Sequence, residues 1–73
     1  MNMYCIIETQ TTNGTMAALP PEVKATRELA EQEYHRRLSD AAVSTVEEHA
    51  VVMLNAEGQR VKGECYKHEQ NNG

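Results

Sequence analysis

Phenylalanine and tryptophan are absent from this 73-residue chain, which leaves tyrosine, with three residues, to supply its large aromatic side chains. A domain of this length buries only about 60% of the surface that its unfolded chain exposes. Without the two bulkiest apolar residues its core is thinner still. The large apolar set is Ile6, Ile7, four Leu, six Val, four Met and the three Tyr, and much of the 40% hydrophobic content is alanine, which buries little area. One domain is the most that such a chain supports. It gains most by covering a second face with another copy of itself, and two-fold dimers are the commonest way to do so. A homo-oligomer, dimeric or larger, is therefore expected.

Positive charge is scarce as well. Seven Lys and Arg stand against eleven Asp and Glu, a net charge of −4, with a pI near 5.2. Proteins that follow a phosphate backbone carry a basic stripe, so nucleic acid is not the expected partner. Local basic spots at Arg36-Arg37 and Lys67-His68 still suit a small anion. Two cysteines, Cys5 and Cys65, are too few for a disulfide framework and have no CxxC spacing; they read as half-buried free thiols of a reducing compartment. No basic-then-apolar leader opens the sequence, and no apolar run approaches the ~20 residues that a membrane span needs. A cytoplasmic protein without membrane contact is expected.

What is present alternates in two periods. Met3 to Gln10 reads as a strand, and Asn13-Gly14 is the strongest short signal for a tight hairpin turn. Thr15 to Leu19 returns as a weak edge strand that Pro20-Pro21 stops. From Thr26, a plausible N-cap, the period becomes helical. At about 100° per residue, Ala30, Tyr34, Leu38, Ala41 and Ala42 share one stripe, while Gln32, Glu33, Arg36 and Asp40 fall opposite. The helix is expected to end near Val43. His49 to Asn55 is apolar on both sides, as in a central strand covered on both faces. Asn55-Ala56-Glu57-Gly58 fits a type I turn closing a three-residue hairpin loop. Gln59 to His68 then alternates, with Val61, Gly63 and Cys65 on one side and Lys62, Glu64, Tyr66 and His68 on the other. The tail, 69–73, is polar. The pattern predicts one α+β domain over residues 1–73: ββαββ, an antiparallel four-stranded sheet with one helix on one face.

The candidates for chemistry are few. His35, His49 and His68 match no metal-ligand spacing, so neither metal nor cofactor is expected. Catalysis has no phosphate loop or nucleophile elbow to rest on, and a Cys65–His49 pair needs one hairpin register; a shift of one residue sets His49 beside Tyr66 instead. The protein reads as a non-enzyme. His35 and Arg37 border the helix stripe on opposite sides, about 160° apart, so a single ligand reaches both only where two subunits meet. Arg37 also stands four residues after Glu33, the spacing of a surface ion pair. Tyr66-Lys67-His68 is the most site-like cluster, combining a stacking ring, a charge and a directional donor, although Lys67 points away from the other two.

The residues Tyr34-His35, Leu38, Ala41-Ala42-Val43-Ser44, His49 and Glu64-Cys65-Tyr66-Lys67-His68 resemble those of small uncharacterised proteins encoded by phages and mobile elements of Gram-positive gut bacteria, over nearly the whole chain. The charged Arg36-Arg37 and Asp40 depart from a smoother alanine-rich helix in that group. The resemblance implies a viral, anti-defence role in the host cytoplasm. The expected function is then an oligomer that sequesters a nucleotide-derived immune signalling molecule at subunit boundaries, bound by His35, Arg37, Tyr66, Lys67 and His68. The alternatives are a protein-binding inhibitor or adaptor, acting through the acidic helix face (Glu28, Glu33, Asp40) or an exposed sheet face, and a structural oligomer without ligand.

Overall fold

The computed structural model describes residues 3–67. Its elements run β1 (Tyr4–Thr12), β2 (Thr15–Ala18), β3 (Glu22–Lys24), α1 (Arg27–Ala42), β4 (Glu48–Asn55) and β5 (Arg60–Lys67). All strand pairs are antiparallel, in the order β2-β1-β4-β5, and β3 also pairs with β1. The architecture is α+β with one helix, as the alternating pattern predicts. The sheet has five strands rather than four. Pro20-Pro21 interrupts the edge, because proline has no N–H for a ladder. The chain then resumes as β3, which pairs with Tyr4, Cys5 and Ile6 while β2 pairs with Thr9 to Thr12. β2 and β3 thus lie end to end along one side of β1.

Local signals fix the corners. Asn13 (φ 52°) and Gly14 (φ 78°) both take the left-handed conformation that the two-residue turn between β1 and β2 requires. Thr26 caps the helix, its hydroxyl oxygen accepting from the Leu29 amide at 3.2 Å, and Glu28 sits in the first turn, where the helix dipole favours an acid. At the β4–β5 turn the Gly58 amide donates to the Asn55 carbonyl at 3.0 Å, and the Asn55 side chain accepts from Glu57 and Gln59 amides, both at 2.9 Å. The three-residue loop is as expected. Past it, however, Leu54 pairs with Arg60 and Met53 with Lys62, so Val61 is an extra residue. This β-bulge shifts the register by one and sets His49 opposite Tyr66 and Ala50 opposite Cys65. Val61 packs toward the core instead of joining Gly63 and Cys65.

The core lies between α1 and the sheet. Ile6, Val51 and Met53 are its largest fully buried side chains, joined by Ala30, Tyr34 and Ala41. Each large aliphatic residue contributes about 1.5–3 kcal/mol by leaving water. The helix is rotated relative to the apolar stripe read from sequence. Its buried residues are Ala30, Glu33, Tyr34, Arg37 and Ala41, while Ala42 is exposed. Glu33, expected to face solvent, is turned inward. Among the described residues β4 is covered on one side alone: His49, Val51 and Met53 are buried and Ala50, Val52 and Leu54 are half-buried. Among the described residues, no helix is long and apolar enough to cross a membrane.

Candidate functional site

Two clefts flank α1, one on each side, and they divide the residues that the sequence grouped. Along β5, the bulge decides what faces the helix. With Val61 extra, Lys62, Glu64 and Tyr66 pair with Met53, Val51 and His49, the helix-facing residues of β4. They form one wall of an open cleft of about 640 Å³, and Tyr34, His35 and Leu38 form the other. The volume lies within the ~300–1,000 Å³ range of small-ligand sites. Tyr34 and His35 meet edge to face, with ring centroids 5.6 Å apart and an interplanar angle of 72°. The Lys62 ammonium stands 5.9 Å from the centre of the Tyr34 ring and 3.3 Å from Glu31. Burial pushes the Tyr34 phenol above its ordinary pKa, with the Glu64 charge adding to the effect. The Glu31 carboxyl is held below its usual range, first by a hydrogen bond from Arg27 and then by one from Lys62.

The second cleft, of about 470 Å³, lies on the β1 side of the helix. Here Glu8, Glu33, Arg37 and His49 are all buried. Glu33 accepts from Arg37 Nε at 2.8 Å and from Arg36 at 2.6 and 3.0 Å. Arg37 also donates to the Pro20 carbonyl at 3.2 Å, and its Nη1 stands 3.8 Å from Glu8. His49 Nδ1 lies 3.2 Å from the other Glu8 oxygen. The hydrogen bonds from Arg36, followed by the one from Arg37, pull the Glu33 carboxyl down to about 2 against the opposing effect of burial. Each buried charge has an opposite charge within reach, which makes such a set tolerable inside a small core.

The expected site residues therefore separate. His35 and Tyr66 line the same cleft within one chain. Arg37 lies across the helix in the second cleft, engaged by Glu33 and Glu8 and only 7% exposed. Lys67 is exposed on the opposite side of the sheet from Tyr66, 3.4 Å from Glu48. His68 lies outside the described residues. The acidic helix face is also smaller than the sequence suggests, because Glu33 is buried between two arginines and Asp40 stands 3.5 Å from Arg36. Lys62 and Tyr34 are site residues that sequence reasoning did not select. The signal was present, since Lys62 shares the strand parity of Tyr66 and Tyr34 is adjacent to His35. Among the described residues, no group of three or more His, Cys, Asp or Glu is placed to hold a metal ion. Compared with protein-family models, with curated proteins and with solved structures, the chain matches none.

Proposed function

We propose that this chain is a non-catalytic binding protein that sequesters a small nucleotide-derived anion in the cleft between α1 and β5. The observation that carries the reading is the convergence of Tyr34, His35, Lys62 and Tyr66 on one open cleft of about 640 Å³. Tyr66 offers a half-buried ring on which a base stacks, and His35 a directional hydrogen-bonding group at the opposite wall. Lys62 supplies the positive charge for a phosphate, which replaces the Glu31 carboxylate now 3.3 Å away. That exchange is inexpensive, because a partly exposed ion pair contributes about 0–1 kcal/mol. Glu64 lines the same cleft and accepts from sugar hydroxyls or an exocyclic amine. A ligand with one accessible phosphate and a nucleoside fits this mixture better than a long polyanion, which meets the net charge of −4. Holding such a molecule without turnover withdraws it from whatever it signals to, the role that the resemblance to phage proteins also implies.

A thermal-shift titration against cyclic dinucleotides and ADP-ribose derivatives tests the proposal. A ligand at a hundred times its Kd stabilises the fold by about 2.7 kcal/mol. The expected result is a concentration-dependent rise in Tm that Tyr66→Ala abolishes and Lys62→Ala weakens. No shift across the panel, or a shift that survives both substitutions, overturns it.

A further inference from the structure

Among the described residues, the face of the sheet turned away from α1 is apolar and uncovered. The register places Cys5, Ile7, Ala50, Val52, Leu54 and Cys65 on it together. Cys65 is exposed and the others are half-buried, and Val23 (57% exposed) and Met16 (68%) extend the surface along the β2/β3 edge. A contiguous apolar surface on this scale marks an interaction site in a water-soluble protein. We infer that this face is a homodimer interface, closed by the same face of a second copy in a two-sheet sandwich.

Size, charge and chemistry select the occupant. Four strand columns about 4.8 Å apart and about eight residues long span roughly 19 by 26 Å, or about 500 Å² per copy in projection. Two such faces bury about 1,000 Å², the lower bound for a specific interface. The charged strand residues described on this face are Glu48 and Lys67, paired at 3.4 Å at one end, and Arg60, which lies over Gly63 and donates to its carbonyl at 3.2 Å. Past Glu48 the two central columns, β1 and β4, carry no charge on this face and Arg60 lies at the β5 edge, so two copies meet without like charges opposed at the middle although each chain carries −4. The same net charge opposes adsorption to an anionic lipid surface. A two-fold arrangement also closes on itself, leaving no second apolar face to recruit further copies. Because the Tyr66 cleft lies on the helix side, the dimer carries two separate clefts facing outward. The inference does not rest on the ligand proposed for them.

Sedimentation velocity on the full chain, from micromolar to near-millimolar concentration, reads the association directly. A reversible monomer–dimer equilibrium is expected, and Val52→Arg is expected to sediment as a monomer throughout with unchanged circular dichroism and unchanged ligand response. Alkylation of Cys65 by iodoacetamide supplies a second readout on the unmodified chain: its rate is expected to fall by about tenfold once dimer predominates. Should Val52→Arg lose its fold, Cys65→Lys carries the test at a position already exposed in the single chain. A wild-type protein that stays monomeric overturns the inference, whether or not it floats with phosphatidylcholine vesicles; flotation would assign the face to lipid, and its absence to a foreign protein. A variant that remains dimeric, or thiol reactivity indifferent to concentration, overturns it too.

Discussion

Ile6 and Ile7 are neighbours in β1, yet the first is fully buried beneath α1 and the second is half-buried on the side the helix leaves open. The same contrast runs across the whole sheet, with an unexpected distribution of polarity. The covered side holds Glu8 and His49 and receives Glu33 and Arg37 from the helix, whereas the open side presents Ile7, Val52 and Leu54. Charges are buried inside beside Ile6, Val51 and Met53, while further aliphatic groups stand on the open side. Burial is tolerable for the former because each meets an opposite charge or a carbonyl at short range. The open side has no equivalent compensation within one chain. The difference teaches that the two faces call for different kinds of complement, one electrostatic and met within the chain, the other apolar and, on the inference drawn above, met by a second copy.

The strongest way to break this contrast is Arg37→Met. It removes the cation shared by Glu33 and Glu8 and leaves two buried carboxylates with weaker compensation, so a loss of about 3–5 kcal/mol is expected. Urea denaturation followed by circular dichroism measures it; a loss below 1 kcal/mol would show that the network is not holding the helix. Next in size is the pair of substitutions Ile6→Ala and Ile7→Ala. Emptying the core position is expected to cost about 2–5 kcal/mol. The open-face substitution should cost well under half as much at low protein concentration, and more as concentration rises. Equal costs at every concentration would erase the distinction between the faces.

A smaller effect comes from pH. The folded Glu33 carboxyl sits near 2 rather than its ordinary 4.5. A lowered folded pKa contributes stability that is fully present above the unfolded value and is lost as pH falls through the folded one. The loss should therefore begin near pH 4.5 and be complete only once pH has fallen below about 2. Its size is on the order of 2 kcal/mol, after allowance for the solvent around the exposed Arg36. Acid titration of Glu33→Gln, compared with the unmodified chain, isolates it; superimposable acid limbs would refute the assignment.

Much of the backbone was legible because single residues with fixed preferences mark its corners. Asn13-Gly14, Thr26 and Asn55 each stand where turn or cap chemistry requires them. β3 was not legible, since three residues after a proline pair, one apolar between two charges, read as a link; it is a strand because β1 extends past the reach of β2. The buried network escaped for a different reason. Glu33 and Arg37 are one helical turn apart, and in sequence that spacing is the same whether the pair faces water or core. The site was half legible: Tyr66 and His35 stood out as side chains, but their meeting depends on one unpaired residue in β5 that no local pattern announces.

That residue gives the hairpin an unusual sensitivity to pairing. Side chains along a strand alternate, so a Val61 drawn into the ladder opposite Met53 would carry every later residue one partner along and half a revolution around. Tyr66, Glu64 and Lys62 would then emerge where Cys65 and Gly63 now lie. Loss of the Val61 codon itself would remove the bulge and leave Tyr66 opposite His49, so the unpaired state of this residue, rather than the length of the segment, decides which surface receives the aromatic ring.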